Sequence, residues 1–508
     1  MNKYFSFVDL FSGIGGFKIA LENNGGHCLG FSEINSDAIE FYCKNFNENK
    51  ANNFGNITKI QELPKHDLLT AGVPCQSWSI AGKNLGFDDD RGKLWNDTIY
   101  LLQKSKPKAF IFENVKGLVD PRNKKALFYI LDRIKQAGYY ADYYVINSHD
   151  YGVPQSRVRV YIIGFREKEF FDKFRLPTPL GKKKKLADIL GIELLNIDPT
   201  KENNQRKLLN EVAAIKSMSL SSKNGFNDYF LFNDLRNGDT TIHSWDIIET
   251  SPRQKDICYL LLKNRRKSLY GKLDGNPLSL DHFQNLDATI SKKEISELIE
   301  LEILKEEEYL FTVKRHKVSE LSESEKLIIM ETNNQFSIDE LKVNKKIKLN
   351  KASITRIIKS LKEKRVLKCL EVRYDFKNTK ISTGLFGVNR IFLPSSDLFP
   401  TLVASDTNDY IALENIEPRD KSYYKRKFIE DIYEKNKYRK ITKSEACLIQ
   451  GFPENFILPN SRARWMKLIG NSVSVPVIET LCQAILKTGV FRYKQPKNKK
   501  IKLQKIYI

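Results

Sequence analysis

Four short groups of residues carry side chains suited to making and breaking covalent bonds. In GVPCQSWSIAGK (Gly72–Lys83), Cys75 follows a proline and precedes the polar Gln76 and Ser77. A thiolate is a strong nucleophile toward an electron-poor ring carbon, and its reactivity depends on a lowered pKa. A cysteine without context is most often an inert core thiol, but a loop at the carboxyl end of a strand is where open α/β sheets bind ligands. In FENVKG (Phe112–Gly117), Glu113 ends an apolar run, so its carboxyl group can face the thiol across one pocket; a helix N-cap or an ion-paired carboxylate is the plain alternative. In QSRVRVYIIGFR (Gln155–Arg166), Arg157 and Arg159 lie two apart and so on one face of a strand, positioned for a phosphate or a pyrimidine oxygen. An exposed basic strand edge is the alternative there. In FVDLFSGIGGF (Phe7–Phe17), glycines between a strand and a helix let the backbone approach a cofactor at a helix N-terminus. Glu33 closes the next strand, where a carboxylate accepts from ribose hydroxyls. The pattern is Gly-x-Gly-Gly and lacks the full dinucleotide fingerprint, which disfavours a nicotinamide enzyme and leaves a structural tight turn open.

These groups need a frame that brings strand ends together. Tyr4–Phe11, His27–Glu33, Asp67–Ala71, Ala109–Phe112 and Arg157–Phe165 read as strands. Helical patterns run from the glycine turn to Glu22, over Ala38–Asn47 and over Lys124–Ala137. Strands alternating with helices predict a parallel sheet covered on both faces. After Phe165 the texture changes: Lys182–Lys185 is a lysine run, and Lys, Asn and Ser dominate from about 200 to 390. Within that stretch Ser324–Thr332, Ser337–Leu341 and Ala352–Lys364 read as short helices, followed by strand material at Val366–Phe376. The order resembles a winged helix-turn-helix over 324–376, with Ser353, Thr355, Arg356 and Lys359 on the groove-entering helix. A helical spacer with a solvated basic face fits equally. Compact texture returns with helices at Ile441–Ile449 and Val473–Leu486, before the basic tail QPKNKKIKLQKIYI.

Composition bounds the function. A chain of 508 residues exceeds what one hydrophobic core supports, so two or three domains are expected. A formal net charge of +22 favours a polyanionic partner, because neutralising phosphates releases counterions. The seven cysteines are scattered with no CxxC pair and no histidine at zinc spacing, which argues against a disulfide framework and a metal site. The N-terminus lacks a charged-then-apolar leader, and no apolar run reads as long enough to cross a bilayer. A cytoplasmic setting without membrane attachment is the expectation.

Taken in order, strand–FSGIGG, PCQSWS, ENV, QSRVR and GNSVSVPV resemble the signature blocks of the bacterial C5-cytosine DNA methyltransferases. Arg439–Phe456 resembles the penultimate block and PTLVAS (Pro400–Ser405) the end of the target-recognition region, so the match covers roughly 4–166 and 400–486. The resemblance implies a Rossmann-like α/β methyltransferase domain that uses S-adenosylmethionine and carries a large inserted target-recognition domain. It divides the chain into 1–175, an insert at 176–434, a return at 435–490 and a tail at 491–508. It implies that Phe11, Gly13, Ile14, Gly16, Glu33, Asn56, Asn471 and Ser472 contact the methyl donor. Cys75 would attack carbon 6 of a flipped-out cytosine, Glu113 would hold ring nitrogen 3 and the amino group, and Arg159 would contact the ring oxygen. Arg157 completes the catalytic set, and Gln76, Ser77, Gln155 and Thr401 would meet DNA. Asn56 stands where the family usually has an aspartate for the adenine amino group, and Ala81 replaces a frequent small polar residue. The expected partners are double-stranded DNA and, functionally, a cognate restriction endonuclease, with the bacterial protein acting as a monomer.

Three readings compete with that one. A tRNA cytosine methyltransferase shares the chemistry but has a much smaller recognition region. An amino-group methyltransferase needs an Asp/Asn-Pro-Pro-aromatic loop that is absent here. A non-catalytic DNA-binding relative has little reason to keep both Cys75 and Glu113.

Overall fold

A computed structural model of the chain describes residues 4–74, 90–181, 184–190, 229–232, 240–273, 275–314, 321–344, 346–347, 351–377, 389–407, 409–416 and 420–491. Cys75, Gln76, Ser77, Ala81, Lys182, Lys183 and the basic tail from 492 lie outside the described residues. The chain forms two compact units, Met1–Pro199 with Phe392–Asn415 and Lys437–Ile508, and Thr200–Ile391 with Ile416–Asn436.

In the first unit the elements run β1 (Phe5–Leu10), α1 (Gly16–Asn23), β2 (Gly26–Ser32), α2 (Ser36–Phe46), β3 (Leu68–Gly72), α3 (Asp90–Ser105), β4 (Ala109–Val115), α4 (Lys124–Gln136), β5 (Tyr140–Asn147), β6 (Gln155–Ser156) and β7 (Val158–Phe165). The sheet order is β2-β1-β3-β4-β7-β5. Strands β1 and β4 are nearly continuous apolar runs because both of their faces are covered. Trp95 and Ile99 of α3 and Leu127 and Ile130 of α4 pack with Val8, Leu10, Leu69, Phe110 and Phe112 in one core. The sheet departs from the all-parallel expectation at one strand, since β7 runs antiparallel to both β4 and β5. The physical reason is the link from β5 to β7, which contains a short 3-10 turn and no crossover helix, so the chain returns as a hairpin would. Strand β5 was not anticipated. Its residues YADYYVIN lie at the sheet edge, mostly half-buried or exposed, and lack a clean apolar alternation.

The second unit contains α5 (Pro252–Asn264), α6 (Leu280–Leu286) and α7 (Lys292–Glu300), started by capping boxes at Ser251, Ser279 and Ser291. They share a core of Ile257, Leu261, Phe283, Ile295 and Leu298 with Trp245 and Phe376. Then follow β8 (Leu304–Val313), α8 (Glu323–Met330), β9 (Gln335–Ser337), α9 (Ile338–Val343), α10 (Lys351–Glu363) and β10 (Leu367–Phe376). The strands form an antiparallel sheet ordered β9-β8-β10, and the helices bury Ile328, Leu341, Ile354, Ile358 and Leu361 beside it. The helices come in winged-helix order, but the central strand β8 precedes them. Leu304 of β8 pairs with Phe376 of β10 and both belong to the α5–α7 core, while residues 378–388, where a wing after β10 would fall, lie outside the described residues.

The chain completes the first unit with β11 (Phe399–Pro400), α11 (Lys443–Gln450), α12 (Arg462–Asn471) and α13 (Val475–Lys487). Helix α13 packs against α1. Contrary to the expectation that no run is apolar enough, Arg462–Lys487 passes a length-and-hydropathy test for a membrane span. It is two helices broken at Ser472–Ser474, and 72% of its apolar window is buried inside the protein. Burial against α1 and the neighbouring helices accounts for its composition.

Candidate active site

The site is assembled at the carboxyl ends of β1, β3 and β4. After β1 the chain turns through Phe11 and Gly13, both at positive φ (53° and 55°), and Gly15 (90°) opens α1 in the left-handed conformation. A Cβ on Gly13 would meet nothing within 4 Å, so the turn presents open space there. The Gly13 N–H donates to the Glu33 carboxylate at 2.9 Å, and the other carboxylate oxygen accepts from the Ile34 and Asn35 amides at 2.8 Å each. Phe11, Gly13 and Glu33 therefore converge at a partly exposed strand end. Ile14 does not join them: it is fully buried in the core. Gly16 is glycine for packing, because a Cβ there would lie 2.8 Å from Val473. At these two positions the side chain of Ile14 and the missing side chain of Gly16 serve packing, which leaves their backbone as the part able to meet a cofactor.

Asn53 escaped the sequence reading. Its amide clamps the Glu33 backbone in both directions, at 3.1 and 3.0 Å, and accepts from Gly55. Asn56 is exposed, and its Oδ1 caps a short turn by accepting from the Thr58 N–H and hydroxyl. Beneath the glycine turn, Asp9 is fully buried, accepts from the Thr70 hydroxyl at 2.9 Å, and is pushed up to about 8 by burial.

Glu113 is fixed by strand register. In the parallel β3–β4 pair it lies opposite Gly72, three residues before Cys75. Asn114 is buried, and its side chain donates to the Val73 carbonyl at 3.2 Å, tying the end of β4 to the segment that leads into Cys75. The Arg159 Nε lies 3.0 Å from a Glu113 carboxylate oxygen, and the two side chains are only 14% and 12% exposed. Burial holds the Glu113 carboxyl above the ordinary glutamate range, while the Arg159 and Arg157 guanidinium groups oppose that rise.

Arg157 does something different from Arg159, and the expectation that both serve one face fails. Its residue is a break between β6 and β7, and its side chain is 2% exposed. The guanidinium donates to three backbone carbonyls, Leu402 at 3.1 Å, Gly470 at 3.1 Å and Ser472 at 2.7 Å. It joins the QSRVR, PTLVAS and GNSVSV blocks, which is a positioning duty and leaves no face for phosphate. The packing there is close: a Cβ on Gly470 would sit 2.5 Å from the Val403 backbone. Gln450, also unforeseen, donates to the Ser472 carbonyl at 2.9 Å. Ser472 is buried with its hydroxyl donating to Ile469, so it supports the break before α13, whereas Asn471 is exposed. Thr401 is likewise committed, its hydroxyl donating to the Ser156 carbonyl at 2.5 Å beside the β6–β11 pairing. Gln155 is fully buried, and its amide atoms have no hydrogen-bond partner among the described residues.

A carboxyl group raised by burial, an arginine beside it, and a glycine turn with a strand-end carboxylate thus stand at the carboxyl ends of one sheet. The family model for C-5 cytosine-specific DNA methylases matches residues 5–267 and 279–487. The chain belongs to this family. It is 39% identical over 487 residues to the type II methyltransferase M.HgiBI of Herpetosiphon aurantiacus, covering 95% of this chain and 97% of that one. It is 38% identical over 491 residues to M.HgiCII of the same organism, covering 96% and 98%. The type II methyltransferase M.BanI of Aneurinibacillus aneurinilyticus is 29% identical over 516 aligned residues, covering 95% and 96%. The protein is a cytosine-5 DNA methyltransferase of the type II restriction–modification kind. These matches span the long insert, and neither the tRNA nor the non-catalytic reading draws support from them.

Proposed function

We propose that this cytosine-5 DNA methyltransferase acts on a cytosine extruded from duplex DNA, through a transient bond between Cys75 and ring carbon 6. The observation that carries the reading is the Glu113–Arg159 pair, held at the end of β4 beside the strand end that leads into Cys75. Carbon 5 of cytosine is a poor nucleophile until a group adds across the adjacent double bond, and a stacked base cannot be reached. Cys75, as thiolate, adds to carbon 6. Electron density then builds at ring nitrogen 3, where a protonated Glu113 donates a hydrogen bond or its proton while accepting from the exocyclic amino group. The raised affinity of Glu113 for its proton suits that role. Arg159 orients Glu113 and donates to the ring carbonyl oxygen. After carbon 5 is alkylated, loss of its proton and expulsion of the Cys75 thiolate restore the ring.

The residues at the glycine turn fit S-adenosylmethionine. Gly13 leaves open space where a side chain would intrude, and the Glu33 carboxylate stands at the strand end to accept from ribose hydroxyls. When bound, the cofactor supplies a methyl group on a sulfonium, electrophilic toward carbon 5. In this reading Phe11 and Asn56 also meet the cofactor, Asn56 through its amide N–H groups because its oxygen is engaged by Thr58. In this reading Thr200–Ile391 recognises the DNA sequence, and a cognate restriction endonuclease is the functional counterpart.

Two measurements test this together. Conversion sequencing of DNA from cells expressing the chain should find 5-methylcytosine in one sequence context. Calorimetric binding of S-adenosylhomocysteine should weaken in Glu33→Ala. Methylation on an exocyclic amino group, or binding indifferent to Glu33, would refute the corresponding half.

A further inference from the structure

The second unit carries an abrupt reversal of charge. Between Leu321 and Leu341 the chain has five acidic residues and one basic residue. Between Lys342 and Lys368 it has eleven basic residues and a single acidic one, Glu363. Helix α10 lies in the centre of this basic stretch.

The fold sorts these charges. Lys364 pairs with Glu325 at 2.7 Å, Lys346 with Glu331 at 3.2 Å, and Lys362 with Glu308, so acids of α8 and β8 hold three lysines against the domain. Arg356, Arg365 and Lys368 make no ion pair among the described residues. Ile354, Ile358 and Leu361 seat α10 on the core with exposures of 2%, 5% and 0%. At helical spacing this turns Thr355, Arg356, Lys359 and Glu363 to the opposite side, and all four are exposed. Lys359 and Glu363 are 3.9 Å apart, a loose surface pair. The helix is also held from behind: Asp339 of α9 is buried and accepts from the Lys272 amide at 2.7 Å, fastening the α8–α10 group to the segment after α5.

A solvated helix face ordinarily mixes both signs. Four of the eleven basic residues have acidic partners within the domain, and the excess that remains repels itself unless a polyanion neutralises it. A rigid helix with a polar, basic outer stripe has the dimensions of the DNA major groove.

We propose that α10 is the base-reading helix of this methyltransferase, with Arg356 contacting a base edge and Lys359 a backbone phosphate of duplex DNA. This rests on the reading that the second unit recognises DNA, and it assigns that recognition to one helix face. An arginine donates two parallel hydrogen bonds to guanine, the commonest specific contact in the major groove.

The test uses the full-length enzyme and a plasmid library randomised around cytosine, read by conversion sequencing with S-adenosylmethionine present. Arg356→Ala should relax the methylated consensus at one base pair and raise KM for the wild-type site about tenfold or more. Lys359→Gln should leave the consensus intact and reduce the slope of log affinity against log salt by about 1. Both variants should bind S-adenosylhomocysteine as the wild type does, which separates a recognition defect from misfolding. An unchanged consensus and KM in Arg356→Ala overturns the assignment to α10. If chimeras exchanging 200–391 with that of a relative keep the original consensus, the broader reading of the second unit fails instead.

Discussion

Two buried arginine–carboxylate pairs, one in each unit, show how the same chemistry serves different ends. Arg159 and Glu113 meet at 3.0 Å at the open end of a sheet, and Arg265 and Asp375 meet at 3.0 Å inside the α5–α7 core. In both, burial raises the carboxyl group and the arginine opposes it; Asp375 reaches about 6. The surroundings differ. Arg265 follows the last turn of α5, lies over the Phe376 ring, and leaves so little room that a Cβ on Gly275 would come within 2.7 Å of it. Nothing the size of a base can enter there. Glu113 and Arg159 instead stand beside the Val73–Pro74 segment on the ligand-binding edge of an α/β sheet. A perturbed carboxyl is thus evidence of function only where its position lets a substrate reach it.

The comparison can be broken most severely at Glu113. Glu113→Gln should lower turnover by about 10²–10³-fold with DNA and cofactor affinity retained, as loss of a charge-stabilising donor does, while Asp375→Asn leaves turnover unchanged. Single-turnover methyl transfer measures this, and comparable losses in the two variants would erase the distinction. On stability the order reverses. Arg265→Ala strands a buried carboxyl and should destabilise by about 3–5 kcal/mol in urea unfolding; a change near zero would mean the pair is not closed to water. Arg157→Met strands three backbone carbonyls and should lose about 2–4 kcal/mol. Its kcat should fall less than that of Glu113→Gln, because the Arg157 guanidinium is committed to backbone carbonyls.

The smallest effect is a pH slope. Between the ordinary aspartate value and about 6, folded Asp375 keeps a proton that the unfolded chain releases. Stability should therefore fall as pH rises through that window, by up to about 1.4 kcal/mol per unit. Asp375→Asn should remove this component, and thermal unfolding between pH 4 and 7 detects it, judged against Asp9→Asn, which should remove a similar slope extending to about 8.

Much of the site was legible because its residues sit at strand ends, where apolar runs stop at polar residues. Glu113 after AFIF and Glu33 after the second strand are marked in that way. Arg157 and Arg159 were not separable, because period-two spacing assumes an unbroken strand. The break between β6 and β7 rotates Arg157 into the interior, and no local pattern announces it. Asn53, Asn114 and Gln450 were missed for a related reason: their partners are backbone atoms brought close by the fold, and a polar residue in a loop carries no sign of what it will bind. The antiparallel β7 was hidden by the weak patterning of edge strand β5. In the insert, helices announced themselves through serine caps and apolar spacing, yet the position of β8 ahead of them depended on pairing at a distance.

A covalent bond at Cys75, assisted by Glu113, is the central step of the proposed reaction. A duplex carrying 5-fluorocytosine at the methylated position blocks the final elimination, since fluorine cannot leave as a proton. Incubated with the enzyme and S-adenosylmethionine, it should yield a stable protein–DNA adduct by denaturing electrophoresis and mass spectrometry, mapped to Cys75 and absent in Cys75→Ser. An adduct that persists in Cys75→Ser, or none from an enzyme that methylates the ordinary duplex, would contradict the mechanism.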